Sequence, residues 1–225
     1  RLNDPFGFPT VNWEETGYYL DPTTGDPNKQ QPRSRHTYNT LAYIPSLDRM
    51  FSFSTQSMFF GGQLNLPIVN AFNFTTKVWS QSANCLSTDI QASVAVDSVS
   101  GNVWMHGNGS YGYLTEFNPR TNTCYTHGNI FHDGGFAGQW TTVIDPIQRK
   151  VVAVGHGKVL IWPMNSETNT VDDCIQMTTS GPQQIVNALS PGLQYDASTQ
   201  KIVGWSSGTD LYALDIGTSA WSTIS

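Results

Sequence analysis

The sequence predicts an all-β chain built from four repeated units, each a small antiparallel sheet of four short strands. Aromatic residues make up 12% of the 225 residues, and 20 glycines and 12 prolines interrupt the chain, a mixture typical of short strands joined by turns. A strand that ends at a turn marker recurs four times, in steps of 52, 48 and 51 residues. Repeats of this length with four strands each indicate the blades of a β-propeller.

The first strand of each unit ends at a proline or an aspartate. These four markers are Pro45, Asp97, Asp145 and Asp196. An apolar residue that opens the second strand follows six positions after each marker, which predicts that four residues are equivalent: Phe51, Val103, Val151 and Ile202.

A third strand and a short fourth strand complete each unit. The third apolar runs are 68–72, 113–117, 159–162 and 211–214, and each is followed by a polar turn that contains threonine. An aromatic residue marks the fourth strand at Trp79, Tyr125 and Trp221, whereas the third unit has Val171 and Asp172 near that place. A β-sandwich of unrelated strands is the alternative, and the in-register recurrence favours stacked blades over it.

The first unit resembles a kelch repeat. Arg35-His36-Thr37-Tyr38, the strand 48–53 and the closing Trp79 match the early histidine, apolar strand and late tryptophan of that family. The resemblance covers residues 35–225 at the level of blade pattern, but the diglycine of the family is missing from its usual place after the second strand. It implies a kelch-like propeller of the galactose-oxidase-like superfamily, which contains both enzymes and binding scaffolds.

The predicted organisation is a lead segment, residues 1–34, followed by blades at about 35–85, 86–134, 135–184 and 185–225. The lead is rich in turn residues around an apolar stretch, and it could supply the last strand of a preceding blade. In that case the ring has more than the four blades visible here.

Composition and charge predict an extracellular or cell-surface location. Charged residues are 12% of the chain, about half of the roughly 25% usual in soluble domains. Sequons at Asn73 and Asn108 predict glycosylation sites. The three cysteines, Cys85, Cys124 and Cys174, permit one disulfide with one free thiol, or none.

The same features exclude two classes of partner. The net charge is -6 and the eleven basic residues are scattered, so the sequence predicts no nucleic-acid binding. Its apolar runs are all shorter than the roughly 18 residues of a membrane span, which predicts no membrane insertion.

Polar residues predicted at one mouth of the central channel form the candidate ligand site. In propellers the loops between the second and third strands and the loops between blades emerge on the same rim. The glycine-rich loop 128–140 is the most suggestive of these loops, because it sets an imidazole beside a carboxylate. The candidate ligand-binding residues are Arg35, His36, His106, Asn108, His132, Asp133, Trp140 and His156.

A metal site and an aromatic sugar-binding surface are the two chemistries these residues suggest. His106, His132 and His156 are the candidate ligands of a transition metal, although no short ligand spacing supports them and no cofactor is expected otherwise. Tryptophans near strand ends could stack on sugar rings, but packing between blades is the expectation for most of them: Trp104, Trp140, Trp162 and Trp205.

The sequence therefore leaves three candidate functions. The first is a secreted or cell-surface binding module that presents its loops to a glycan or a protein partner. The second is an extracellular enzyme, either a metal-dependent oxidase or a glycan-active one, with its site on the channel rim. The third is a structural subunit that self-associates through exposed edges.

Overall fold

A computed structural model describes residues 18–19, 31–32, 39–53, 56–59, 62–65, 68–85, 93–106, 113–129, 140–164 and 174–224. Strands make up 59% of the structure and helices 5%, which confirms the all-β prediction. None of the described helices is both long enough and apolar enough to cross a bilayer.

Four sheets, named I to IV in chain order, each contain four antiparallel strands. Two short strands, β1 (Tyr18–Tyr19) and β2 (Gln31–Pro32), pair with each other before sheet I. Sheet I consists of β3 (Leu41–Ile44), β4 (Arg49–Ser52), β7 (Ile68–Asn73) and β8 (Val78–Asn84). A separate hairpin of β5 (Gln56–Phe59) and β6 (Gly62–Asn65) lies in the connection between β4 and β7.

Sheets II to IV have the same order of strands without such an insertion. Sheet II consists of β9 (Ser93–Val96), β10 (Val103–His106), β11 (Tyr113–Asn118) and β12 (Thr123–Asn129). Sheet III consists of β13 (Thr141–Asp145), β14 (Lys150–Gly155), β15 (Lys158–Pro163) and β16 (Ile175–Met177). The one described α-helix, α1 (Gln184–Asn187), precedes sheet IV, which consists of β17 (Gly192–Asp196), β18 (Lys201–Trp205), β19 (Leu211–Asp215) and β20 (Ala220–Ile224).

The first strands of successive sheets lie side by side. Strand β9 contacts both β3 and β13, and β13 also contacts β17. Asn39 and Ser93 form a parallel bridge, and the amide of Thr142 donates to the Ser93 hydroxyl at 2.7 Å. These contacts bring the starts of the first strands to one end of the stack and their turns to the other.

Apolar layers between neighbouring sheets form the core. Phe51 and Phe53 of sheet I pack against Phe117 of sheet II, with ring centroids 5.3 and 5.4 Å apart. A second layer joins sheets II and III, and a third joins sheets III and IV, where α1 inserts Ile185 and Val186. Each sheet alone would expose both faces, so stacking removes their apolar side chains from water.

The forward face of each of sheets I, II and III is defined as the face that packs on the following sheet in the chain. For sheet III, the forward face carries Val152, Val154, Val159 and Ile161, all of which are buried in the layer shared with sheet IV. The opposite face packs on sheet II through Val151, Ala153, Leu160 and Trp162.

The predicted register is wrong in sheet I by one residue. Val103, Val151 and Ile202 pair with Phe117, Trp162 and Leu214. The equivalent residue of sheet I is Met50, which pairs with Phe72, so Phe51 lies on the other face. Ile44 occupies the position at which the other three sheets have aspartate. The sequence pattern therefore selects the neighbouring Pro45 as the turn marker, one residue too late.

The hairpins repeat one turn geometry. Asp97, Asp145 and Asp196 each accept a backbone N–H two residues later, and the fourth residue after each has positive φ: Gly101, Arg149 and Gln200. The turns between the third and fourth strands are similar: Asn73, Asn118 and Asp215 accept the backbone N–H three residues later, and Lys77, Asn122 and Ser219 have positive φ. Asp and Asn side chains that accept from the following backbone stabilise such turns.

One disulfide links sheets I and II. Cys85 follows β8 and Cys124 lies in β12, and their Cα atoms are 5.4 Å apart. Cys174 is free and half-buried. Of the pairings that the sequence left open, the structure therefore contains one disulfide and one thiol. Closure of the sheets into a propeller ring stays a prediction.

Candidate functional site

Five of the predicted ligand-binding residues lie outside the described residues: Arg35, His36, Asn108, His132 and Asp133. The glycine-rich loop that contains the last two lies outside them as well. Their roles stay predictions. The other three candidates, His106, Trp140 and His156, have described positions.

His106 and Trp140 are buried between sheets II and III. The side chain of His106 is 1% exposed, and its ring lies 6.0 Å from that of Trp140 and 5.2 Å from that of Trp162. Trp140 is 7% exposed. His106 belongs to the forward face of β10, which sheet III covers, so its imidazole is not exposed to solvent. Its predicted role in ligand binding stays a prediction.

His156 is exposed in the turn between β14 and β15. Both His156 and Gly157 have positive φ, 48° and 79°, as the central residues of a type I′ hairpin require. Their amides donate to the carbonyls of Ala188 and Val186 at 3.2 and 3.0 Å, at the end of α1. The described backbone thus uses this turn to hold the helix in place.

The described residues contain no cluster of three metal-ligating side chains. His106 lies in an apolar layer and His156 in a surface turn of a different sheet. Since His132 lies outside the described residues, the metal role of His106, His132 and His156 stays a prediction.

The Asn73 sequon lies in the turn after β7. The Asn73 Oδ1 accepts the amide of Thr76 at 2.9 Å, and the hydroxyl of Thr75 donates to Asp48 at 2.8 Å. Thr75 is exposed and Asn73 is half-buried. Glycosylation at this position, as at Asn108, stays a prediction.

A buried charge pair that the sequence did not reveal joins sheets II and III. The guanidinium of Arg149 donates two hydrogen bonds, at 2.7 and 2.8 Å, to the carboxylate of Asp97, whose side chain has no exposed surface. Burial raises the pKa of Asp97, but the bonds from Arg149, Ser100 and Val99 outweigh it, so the pKa lies below its ordinary value. Both residues are in first-hairpin turns, so the pair fixes neighbouring sheets at their turn end.

A second polar group lies beside this pair. His127 Nε2 is 3.0 Å from Glu116, and Asn102 donates to the other carboxylate oxygen of Glu116 at 2.5 Å. The imidazole stacks on Trp104 with ring centroids 4.6 Å apart. Burial again raises the pKa of Glu116, and the bonds from His127 and Asn102 overcome it and lower the pKa. The side chain of His127 is almost wholly buried, which indicates a packing role.

A cavity of about 430 Å³ lies where the first strands of sheets II, III and IV meet. Its described lining comes from residues 94–96, 98, 142–144, 146, 193–195 and 197, and these side chains are all uncharged. Ser98, Pro146 and Ala197 belong to the hairpin turns, so the cavity extends to the turn end of the first strands. The predicted mouth was at the opposite end, where those strands begin.

Two residues that line this cavity have a hydroxyl group with almost no water-accessible surface and no hydrogen-bond partner among the described residues. The two atoms are Thr142 Oγ1 and Tyr195 Oη. Loss of water around Tyr195, together with the nearby carboxylates of Asp145 and Asp196, raises the pKa of its hydroxyl, which therefore stays protonated and can donate. The amide of Gln194 is exposed beside them. A ligand with its own hydroxyl or carbonyl groups would satisfy these atoms.

Sequence reasoning missed the cavity, although one signal pointed to it. Thr142 and Gln194 are polar residues inside first strands, next to the apolar residues Val143 and Leu193.

The fold and this cavity define the class of protein: an all-β chain of four stacked antiparallel sheets with an uncharged cavity between its first strands. Comparison with protein-family models and with curated sequences finds no relative of this chain. No protein-family model matches the chain, and no curated protein sequence matches it significantly.

Proposed function

We propose that this chain is an extracellular binding module of kelch-like propeller architecture, and that the cavity between its first strands receives a neutral glycan. A protein partner that inserts an uncharged side chain into the cavity is the alternative. The proposal rests on one observation above all: a cavity of about 430 Å³ between the first strands of three sheets has no charged residue in its described lining.

The chemistry of the lining fits a sugar ring. Val94, Val96 and Leu193 offer apolar surface to the C–H faces of a ring, and the Tyr195 ring adds an aromatic surface of the kind on which sugars stack. The hydroxyls of Thr142 and Tyr195 and the amide of Gln194 can bond ring hydroxyls. The cavity volume lies in the range of small-molecule sites, about 300–1,000 Å³. The lining has no charged side chain that could pair directly with an ionised ligand.

The disulfide and the composition support an extracellular location. Disulfides persist in oxidising compartments, and Cys85–Cys124 bridges two sheets. The low content of charged residues agrees with this interpretation.

A glycan array followed by calorimetry tests the proposal. We expect the chain to bind one class of neutral glycan, and we expect Tyr195→Phe and Gln194→Ala each to weaken binding by about tenfold, because each loses a hydrogen bond. Gln176→Ala removes an exposed amide on β16 and is the matched control. Tyr195→Phe keeps the ring, so folding should be unaffected.

Two results would contradict the glycan proposal. One is a folded chain that binds no glycan on the array, and the other is binding that survives both cavity substitutions. A protein captured from native extract whose binding is lost in Gln194→Ala, with no glycan binding, would support the alternative partner.

A further inference from the structure

The first strand of each sheet is an edge strand, because it pairs with a strand of its own sheet on one side only. In an antiparallel ladder, alternate residues turn both backbone groups toward the partner strand, and the residues between them turn both groups away. The Asp97 amide donates to Asn102, just before β10, whereas the Val94 amide donates to Asn39 of sheet I, each at 2.8 Å. The backbone groups of Val94, and of Val96 two residues later, therefore point away from β10.

The same alternation holds in sheets III and IV. The Thr142 amide points away from β14, because it donates to the Ser93 hydroxyl of sheet II, and Ile144 lies two residues later on the same strand. Ile144 and Tyr195 are the residues of sheets III and IV that are equivalent to Val96 in the strand pairing. All three residues line the cavity, so each adds an uncharged N–H donor and C=O acceptor to its wall.

The first strands converge at the end where they begin. Asn39 and Ser93 form a parallel bridge, and the side-chain amide of Asn39 donates to the Thr141 hydroxyl of sheet III at 3.1 Å. Ser93 and Thr141 are buried, and the described lining of the cavity begins only at the residue that follows each of them. These contacts close the cavity between sheets I, II and III at this end.

The first strands separate toward their turns, where the cavity reaches the surface. Ser98 and Ala197 line the cavity and are exposed in the first hairpin turns of sheets II and IV. A ligand can therefore enter from the turn end, and it stops where the first strands meet.

The shape of the cavity selects which part of a neutral glycan can bind, given the glycan function proposed for this cavity. A cavity that is closed at one end accepts the end of a chain, whereas an internal segment needs an exit at both ends. We propose that the cavity binds the non-reducing terminal residue of a neutral glycan, which enters from the turn end. The backbone groups of Val96, Ile144 and Tyr195 bond the hydroxyls of this residue.

The chemistry of a terminal sugar residue matches this wall. Each sugar hydroxyl both donates and accepts, as a wall of paired N–H and C=O groups requires. An internal residue has one hydroxyl fewer, because that oxygen belongs to a second glycosidic bond. A methyl ether accepts but cannot donate, so methylation of the terminal hydroxyls would leave carbonyl groups of the wall without a donor.

Calorimetry with matched oligosaccharides tests the end-on geometry. The probes are linear oligosaccharides of glucose, galactose, mannose or N-acetylglucosamine, each with its non-reducing terminal residue free, methylated, or extended by one residue of a different sugar. We expect one series to bind, and we expect methylation or extension of its non-reducing end to weaken binding at least about tenfold. Lengthening the same oligosaccharide at its reducing end should change the affinity less than about threefold, since the added residue stays outside the cavity.

Two bulky substitutions test which end of the cavity is open. Ala197→Trp places an indole at the turn end and should weaken binding at least about tenfold, because it obstructs the entrance. Thr209→Trp is the matched control, since Thr209 is exposed in the connection between β18 and β19, at the opposite end of the same sheet, and should leave binding unchanged. Near-ultraviolet circular dichroism establishes that each variant is folded.

The outcomes separate the end-on geometry from the glycan function itself. Oligosaccharide binding that tolerates a methylated or extended non-reducing end would overturn the end-on geometry and leave the glycan function supported. Binding that survives Ala197→Trp, or that is lost equally in Thr209→Trp, would do the same. A folded chain that binds none of these oligosaccharides would overturn both.

Discussion

Asp97 differs from the other turn aspartates in what surrounds it. Its carboxylate is fully buried and accepts from Arg149, Ser100 and Val99, whereas Asp196 makes the same turn bonds on the surface. Arg149 itself has φ of 53°, a value that residues with side chains disfavour. From this turn position its guanidinium reaches Asp97 of the neighbouring sheet.

Replacing Asp97 should destabilise the protein far more than replacing its surface counterpart. Asp97→Ala removes the bidentate pair with the partly exposed Arg149 and the acceptor of two partly buried turn amides, which we expect to cost about 1–3 kcal/mol. Asp196→Ala should cost less, since water replaces the lost bonds. Urea denaturation measures both, and equal losses would mean that the pair with Arg149 contributes little.

Acid should weaken the fold through Asp97 and Glu116. Both pKa values lie below their ordinary values, so as the pH falls the unfolded chain takes up protons first. The stability that these groups provide is complete above about pH 5 and declines as the pH falls through the ordinary carboxyl values near 4 toward the lower folded values.

Unfolding free energies measured across this pH window check the expectation. Asp97→Asn, which cannot ionise, should have a shallower acid dependence than the natural chain. An unchanged slope would assign the acid sensitivity to other carboxylates.

At the scale of the element, the segment before α1 extends sheet IV. Ser180 forms a parallel bridge with Ala220, donates its amide to the carbonyl of Ser219 and accepts the amide of Trp221, each at 3.0 Å. Gly181 follows with φ of 82°, and a Cβ atom there would lie 2.0 Å from the Trp221 carbonyl oxygen. The close approach of the two backbones therefore requires glycine.

Gly181→Ala should break this pairing. We expect a loss of about 2 kcal/mol or more, because the substitution combines a backbone clash with left-handed strain. Gly208→Ala is the matched control, since Gly208 has φ of 74° but no atom within 4 Å of the added Cβ, and it should cost only about 1 kcal/mol. Amide exchange at Trp221 should accelerate in Gly181→Ala alone.

The strands were predictable because each has a local signal in the sequence. Apolar runs ending at Asp97, Asp145 and Asp196 are strand and turn signals at once, and all three become hairpins. The first unit failed because Ile44 lacks the side chain that marks the turn, although its backbone turns at the same place. A pattern of residue types cannot detect a turn that is held by backbone geometry alone.

The candidate site was less predictable, because it depends on which residues meet across long sequence separations. Thr142 and Tyr195 line one cavity although they lie in different units. Asp97 and Arg149 likewise pair between sheets. The position of His106 after the second strand predicts a place at the channel rim, whereas its burial depends on which face sheet III covers.

At the scale of the whole molecule, the disulfide covalently joins two sheets that otherwise associate by packing and a few hydrogen bonds. Cys85 and Cys124 are separated by 39 residues, and closing a loop of this length stabilises a fold by about 4 kcal/mol in the chain-entropy description.

Cys85→Ala with Cys124→Ala should therefore lower the free energy of unfolding by up to that amount. Cys174→Ala is the matched control and should change stability little. Burial raises the pKa of the Cys174 thiol to about 11, so its alkylation in the native protein at neutral pH should be slow. Thermal unfolding and alkylation rates provide the two measurements, and an unchanged melting temperature in the double variant would contradict the expected contribution.

The shared turn geometry makes the chain unusually open to improvement by design. Lys77, Gln200 and Ser219 occupy left-handed positions for which glycine is better suited, and none of their side chains makes a bond comparable to that of Arg149. Glycine at each should raise stability by roughly half to one kcal/mol, and the gains should add because the three turns are separate. The repeated turn geometry thus identifies three substitutions that should raise the melting temperature. Melting curves of the single and combined variants measure the gain from each.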